Sequence, residues 1–309
     1  MSDSAYPDVA HRPKVLYVMG AGRSGSTILG VALGNCDGVF YAGELDKWLL
    51  RSGEPKLSDT RRVEFWDGVR ERVAAPAMLF GSQAHRYLER SSALFNLNAR
   101  SIRRRIREPY RRAMGRLYSA IAADAGVTHV VDSSHYPLRA RELQSLDGID
   151  LYLIFLIRDT RQVISSFARD DVAEPRFGAG KTRAYLLLTH LLSTWVFLKH
   201  PPERRLLLSH EDFLEDPQGV LRCVLDHVGS SAAVPDLEVL STGIPLQGNR
   251  LIHQDVVSLQ RREASGERRL LRQVLDLPRI ALLARLRPRA TARRVERSRS
   301  TDAAAPVAR

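Results

Sequence analysis

An apolar run, KVLYVM, leads straight into GAGRSGSTILG, residues 20–30. The run 15–20 (VLYVMG) is short, apolar and followed by glycine, which predicts a buried strand. TILGVALGNC then continues as a helix with small residues on its packing side. A strand, a glycine-rich loop and a helix in that order aim several backbone N–H groups and a helix N-terminus at one point. An anion belongs there. Gly22 and Gly25 permit close approach, and Ser24, Ser26 and Thr27 add hydroxyl donors. The spacing from Gly20 to Gly25 and on to Thr27 is that of a phosphate-binding P-loop. The position at which a nucleoside-triphosphate enzyme carries its lysine is Ser26, and Arg23 lies inside the loop.

THVVDSS (128–134), LYLIFLIRD (151–159) and RLLLSHEDF (205–213) read as further buried strands. Between them lie helical stretches: PLRARELQSL, TRQVISSFARD, the long apolar 183–200, and DPQGVLRCVLDHVG, which stops at Gly229. Short apolar strands alternating with helices predict an α/β fold, a P-loop-like parallel sheet flanked by helices. Residues 60–125 read as mostly helical, and the tract from Arg103 to Arg112 is either a solvated helix face or a surface for an acidic ligand. Trp48 and Trp66 are candidate pocket walls, and Trp195, inside an apolar helix, reads as core. Residues 1–12 are expected to form a flexible arm, 13–260 one domain with a helical insertion at about 46–125, and 261–309 a basic helical or disordered tail.

The formal charge is +12, but only five of the 47 basic residues are lysine, a compositional bias too broad to mark a site. Cys36 and Cys223 are too few for a disulfide framework or a zinc site. The first residues lack a signal-peptide core, and the longest apolar runs are too short or too interrupted to span a bilayer. A cytoplasmic location is therefore expected. Only Asp132 and Asp159 end strands where a magnesium-holding carboxylate would stand, and no metal is expected. No nucleic-acid-binding motif accompanies the charge.

Five segments together resemble the sulfotransferases that use 3′-phosphoadenosine 5′-phosphosulfate (PAPS), over roughly residues 14–255. They are RSGST (23–27), YAGEL (41–45), VVDSSHYPLRARELQSL, LIRDTRQVISS and SHEDFLEDPQGVLRCVLDHVG, with GNR (248–250) as a further partial match. The resemblance implies that Gly22, Arg23, Ser24, Gly25, Ser26 and Thr27 wrap the 5′-phosphosulfate. Arg158 and Ser166 would hold the 3′-phosphate, with Thr160 where proline is usual, and Gly248, Asn249 and Arg250 would close over the nucleotide. Glu44 is the implied general base, with Asp46 as a rival. Arg23 would also assist catalysis at the bridging oxygen. His135 stands where the family often has lysine, and would supply the same charge if protonated. Residues 46–125 would build the pocket for a small-molecule, carbohydrate or lipid hydroxyl acceptor. The alternatives are a P-loop nucleotide kinase or NTPase, against which Ser26 argues, and a non-enzymatic nucleic-acid-binding protein, motivated by charge alone.

Overall fold

The computed structural model describes residues 12–96, 99–167 and 179–259. The expected tail, and the expected arm apart from Arg12, lie outside the described residues. One sheet contains β1 (Lys14–Gly20), β2 (Val39–Gly43), β3 (His129–His135), β4 (Asp150–Ile157) and β5 (Arg205–Ser209), in the spatial order β2-β3-β1-β4-β5. Every neighbouring pair is parallel. The flanking helices are α1 (Ser26–Gly34), α2 (Thr60–Val73), α3 (Arg100–Ala125), α4 (Pro137–Leu143), α5 (Thr160–Phe167), α6 (Ala179–Lys199), α7 (His210–Glu215) and α8 (Pro217–His227).

The central strand explains why its sequence is apolar throughout. Val15, Tyr17 and Met19 enter a core beneath α2, α3 and α4, while Leu16 and Val18 enter one beneath α1 and α8. All five are 0% exposed, so neither face of β1 meets water. Burying each such side chain stabilises the fold by about 1.5–3 kcal/mol. Helix α1 lies close to β2 because glycine faces the Tyr41 ring: a Cβ at Gly30 would stand 2.3 Å from it. Helix α3 buries Ile106, Tyr110, Met114, Leu117 and Ile121 at helical spacing and turns much of its arginine-rich side outward.

Several expectations need correction. Strand β2 is additional to the expected set. RLLLSHEDF is strand only as far as Ser209, whose hydroxyl accepts the Asp212 N–H and caps α7. Trp48 and Trp66 are fully buried in the core. Helix α6 is buried on one side only, and Trp195 is 37% exposed. Its 3.6-residue repeat turns part of an apolar sequence away from the sheet.

Candidate functional site

A parallel sheet sends the carboxyl ends of all its strands to one edge, where ligands of such sheets bind. Here that edge carries the loop after β1, Glu44 after β2, His135 at the end of β3, Arg158 after β4 and His210 after β5. Residues scattered from position 20 to position 210 are thereby brought together.

Gly25 is left-handed (φ 93°) and precedes Ser26, the first residue of α1. A Cβ there would stand 2.3 Å from the His210 ring, so only glycine fits. As a cap residue without a side chain, Gly25 leaves the first N–H groups of α1, the positive end of the helix dipole, uncapped by any side chain. Ser24 is buried and donates to the Ala21 carbonyl at 2.6 Å, which tightens the loop. Thr27 is buried as well. The Gly22 N–H donates to the Tyr185 hydroxyl of α6 at 3.0 Å, a contact that no sequence signal announced.

Arg23 has φ 67°, uncommon for a residue with a side chain and typical of functional loops. Its Nε donates to Ser166 Oγ at 3.1 Å. One guanidinium nitrogen of Arg158 donates to the Arg23 carbonyl at 2.9 Å. Thus RSGST and RDTRQVISS meet in space. Asp159, between them, has a structural duty: its Oδ1 accepts from the Arg161 and Gln162 N–H groups and holds the first turn of α5.

Glu44 follows β2 on a turn fixed from two sides. Its N–H donates to the Gln247 carbonyl at 2.8 Å, and the Gln247 amide reaches its Oε2 at 3.4 Å. Behind it, the Asp46 N–H donates to Ser134 Oγ at 2.9 Å, and Ser134 donates in turn to Asp132. Tyr118 and Arg139 donate to the other oxygen of Asp132 at 2.6 and 3.3 Å. Asp132 is therefore consumed within the fold.

Asp46 is 1% exposed and pairs with the Lys47 ammonium at 2.8 Å. Burial pushes the Asp46 carboxyl up to about 6; Lys47 opposes the rise and Glu89 adds to it. Burial alone would lower Lys47, but the Asp46 carboxylate more than offsets this and its pKa is raised.

His135 would supply a positive charge only if protonated, and its surroundings oppose that. Burial, and then the Lys47 charge, push the ring down to about 3 against a backbone hydrogen bond at Ser133. It stays neutral near pH 7, with φ 57° and its ring centroid 4.3 Å from that of Tyr136. The cation at this place is Lys47, whose Nζ lies 5.7 Å over the Tyr136 ring. Its signal in the sequence was only its position three residues after Glu44. Of GNR, Gly248 is packed toward Thr27 and Tyr41, and the Asn249 side chain accepts the Leu251 N–H at 2.8 Å. Arg250 is exposed at the start of a short helical turn.

The two perturbed groups act oppositely on stability. His135 holds fewer protons folded than unfolded between about 3 and 6.5, so it makes stability rise with pH. Asp46 holds more between 3.8 and about 6, so it makes stability fall over that window. Relative to the parent, Asp46→Asn is expected to steepen the loss of stability on acidification, and His135→Gln to flatten it. Denaturant unfolding across the Asp46 window checks this; parallel profiles for all three proteins would reject it.

A family model described as the sulfotransferase family matches residues 15–233. Among solved structures, the chain is similar to the sulfotransferase domain from the curacin biosynthetic pathway, at 19% identity over 81% of this chain and 85% of that one, TM-score 0.48. It is also similar to the sulfotransferase domain of the Synechococcus PCC 7002 olefin synthase, at 21% identity over 82% and 84%, TM-score 0.47. The sulfotransferase from Alicyclobacillus acidocaldarius is similar at 15% identity over 91% and 99%, TM-score 0.42. No curated protein matches the chain.

Proposed function

The chain belongs to the sulfotransferase family, and from that premise we propose that its donor is PAPS and its acceptor a hydroxyl compound deprotonated by Glu44. One observation carries the donor assignment: Arg158, just after β4, and Ser166, on α5, both bond Arg23 of the loop. A nucleotide with its 5′-phosphosulfate against the loop would then meet a second anion site beside the first. That suits a 3′-phosphorylated donor.

Transfer forms a bond from the acceptor oxygen to sulfur and breaks the bond from sulfur to the bridging oxygen. Glu44 takes the acceptor proton. Negative charge grows on the departing 5′-phosphate, where the N–H groups of α1 and the Arg23 guanidinium stabilise it. Lys47 supplies the nearby positive charge that neutral His135 does not. Ser26, in place of a lysine, removes the ammonium that a triphosphate enzyme needs at the terminal phosphates.

Adenosine 3′,5′-bisphosphate is expected to raise the melting midpoint. Arg158→Ala is expected to weaken that binding by roughly tenfold or more, the scale of a lost charge-assisted hydrogen bond, and far more than for the 3′-hydroxyl analogue. Equal losses for the two nucleotides would remove Arg158 from the 3′-phosphate site. Stabilisation by ATP with magnesium but not by the bisphosphate would reject the donor.

A further inference from the structure

Helix α6 is apolar on its exposed side as well as on its buried side, where Leu186, Val196 and Phe197 pack into the fold. Its buried side includes Thr182, Thr189 and Ser193, at most 3% exposed, whereas Leu187, Leu191, Trp195 and Leu198 stand out at 63, 57, 37 and 47%. Their spacing of four, four and three residues sets them in one stripe about 16 Å long at 1.5 Å per residue. Large apolar groups gathered on one exposed face mark an interaction surface. The charged residues of the helix itself are all of one sign. Lys181, Arg183 and Lys199 are exposed on the same helix, which contains no Asp or Glu. Exposed Arg141 comes from neighbouring α4, and it and Lys199 lie 4.9 and 4.8 Å from the Trp195 ring.

We propose that this face of α6 docks on an acidic lipid bilayer. Leucine at the centre, tryptophan at one end and cations at both ends is the arrangement of an interfacial helix, whose apolar side enters the acyl boundary while its cations meet anionic headgroups. The helix lies on such a surface; among the described residues none is long and apolar enough to cross one. Charge selects the bilayer over a second copy of the chain. Two α6 faces packed together, parallel or antiparallel, would set cations against cations. Residues 260–309 are rich in arginine and meet the same repulsion. The proposal does not depend on the identity of the sulfuryl donor.

Tryptophan fluorescence isolates the face. Trp48 and Trp66 are fully buried, so quenching by iodide in solution reports Trp195. The full chain is mixed with phosphatidylcholine vesicles, with and without phosphatidylglycerol. Acidic vesicles are expected to shift the emission to the blue, shield Trp195 from iodide and expose it to quenching by brominated lipid; neutral vesicles should do so far less. Leu187→Glu with Leu191→Glu should keep the melting midpoint and weaken partitioning onto acidic vesicles by roughly tenfold or more. Any basic contribution from elsewhere in the chain is present in both proteins. Equal partitioning of parent and double variant would overturn the proposal, as would iodide access to Trp195 on the vesicle. So would iodide protection of Trp195 without vesicles, or a dimer in solution that the double variant abolishes.

Discussion

Replacing Glu44 by glutamine is expected to lower sulfuryl transfer by roughly 10²–10⁴-fold, the usual contribution of a positioned general base. Bisphosphate binding should be nearly unchanged, because Glu44 follows β2 whereas the proposed phosphate ligands follow β1 and β4. Glutamine preserves length and shape, and the Glu44 N–H keeps its bond to the Gln247 carbonyl. The charge needed to accept a proton is what disappears. Single-turnover transfer and bisphosphate titration on the same preparation test the two halves separately. Undiminished transfer would remove Glu44 as base and turn attention to Asp46, whose carboxyl at about 6 is suited to proton exchange but is shut away from solvent. Loss of transfer together with loss of nucleotide binding would point instead to a structural role.

Arg139→Met is expected to cost about 3–5 kcal/mol of stability, the penalty for removing one partner from a buried charge pair. Arg139 is 0% exposed and donates to Glu89 at 2.6 Å, to the Tyr110 hydroxyl at 2.9 Å, and to Tyr118 and Asp132 at 3.3 Å each. Methionine fills much of the volume but leaves two buried carboxylates without their cation. Burial alone would raise Glu89, yet Arg139, with His85 and Tyr110, holds it below its ordinary value. Glu89 thus stabilises the fold at pH above its ordinary 4.5 and loses that contribution as pH falls. The deficit of the variant should therefore shrink on acidification, as the abandoned carboxylates take up protons. A packing defect would be independent of pH. Adding Glu89→Gln to Arg139→Met should recover part of the loss. Urea unfolding at neutral and acidic pH checks these outcomes; a deficit below about 1 kcal/mol would show that neighbouring donors replace the guanidinium.

The loop and four of the five strands were legible because each depends on local spacing, whereas the meeting of RSGST with RDTRQVISS was implied only by the family resemblance. GAGRSGST dictates its own turn, and apolar runs between glycines and polar caps dictate buried strands. Strand β2 was not legible: VFYAG is short, ends in glycine and lies at the sheet edge. The exposure of Trp195 was hidden because a helix rich in apolar residues reads as buried on every side, while the fold covers only one. The charge of His135 was hidden for a different reason. Its depression comes first from burial and then from Lys47, both of which arise only in the completed sheet. Arg139 could be read as part of a motif, but not as the centre of a buried network reaching Ser134 and the Glu44 turn.

The strand order has a consequence for how this chain comes to be. Strand β1 is made first, yet its neighbours on both sides, β3 and β4, begin at His129 and Asp150. Until more than a hundred further residues have been synthesised, this apolar central strand has no permanent partner on either edge. Pairings so distant in sequence form slowly, and open apolar edges invite aggregation meanwhile. The anion loop, at the end of that strand, cannot reach its final shape before the chain has passed Ser166. A ribosome-bound fragment lacking that region would hold the loop sequence without the site.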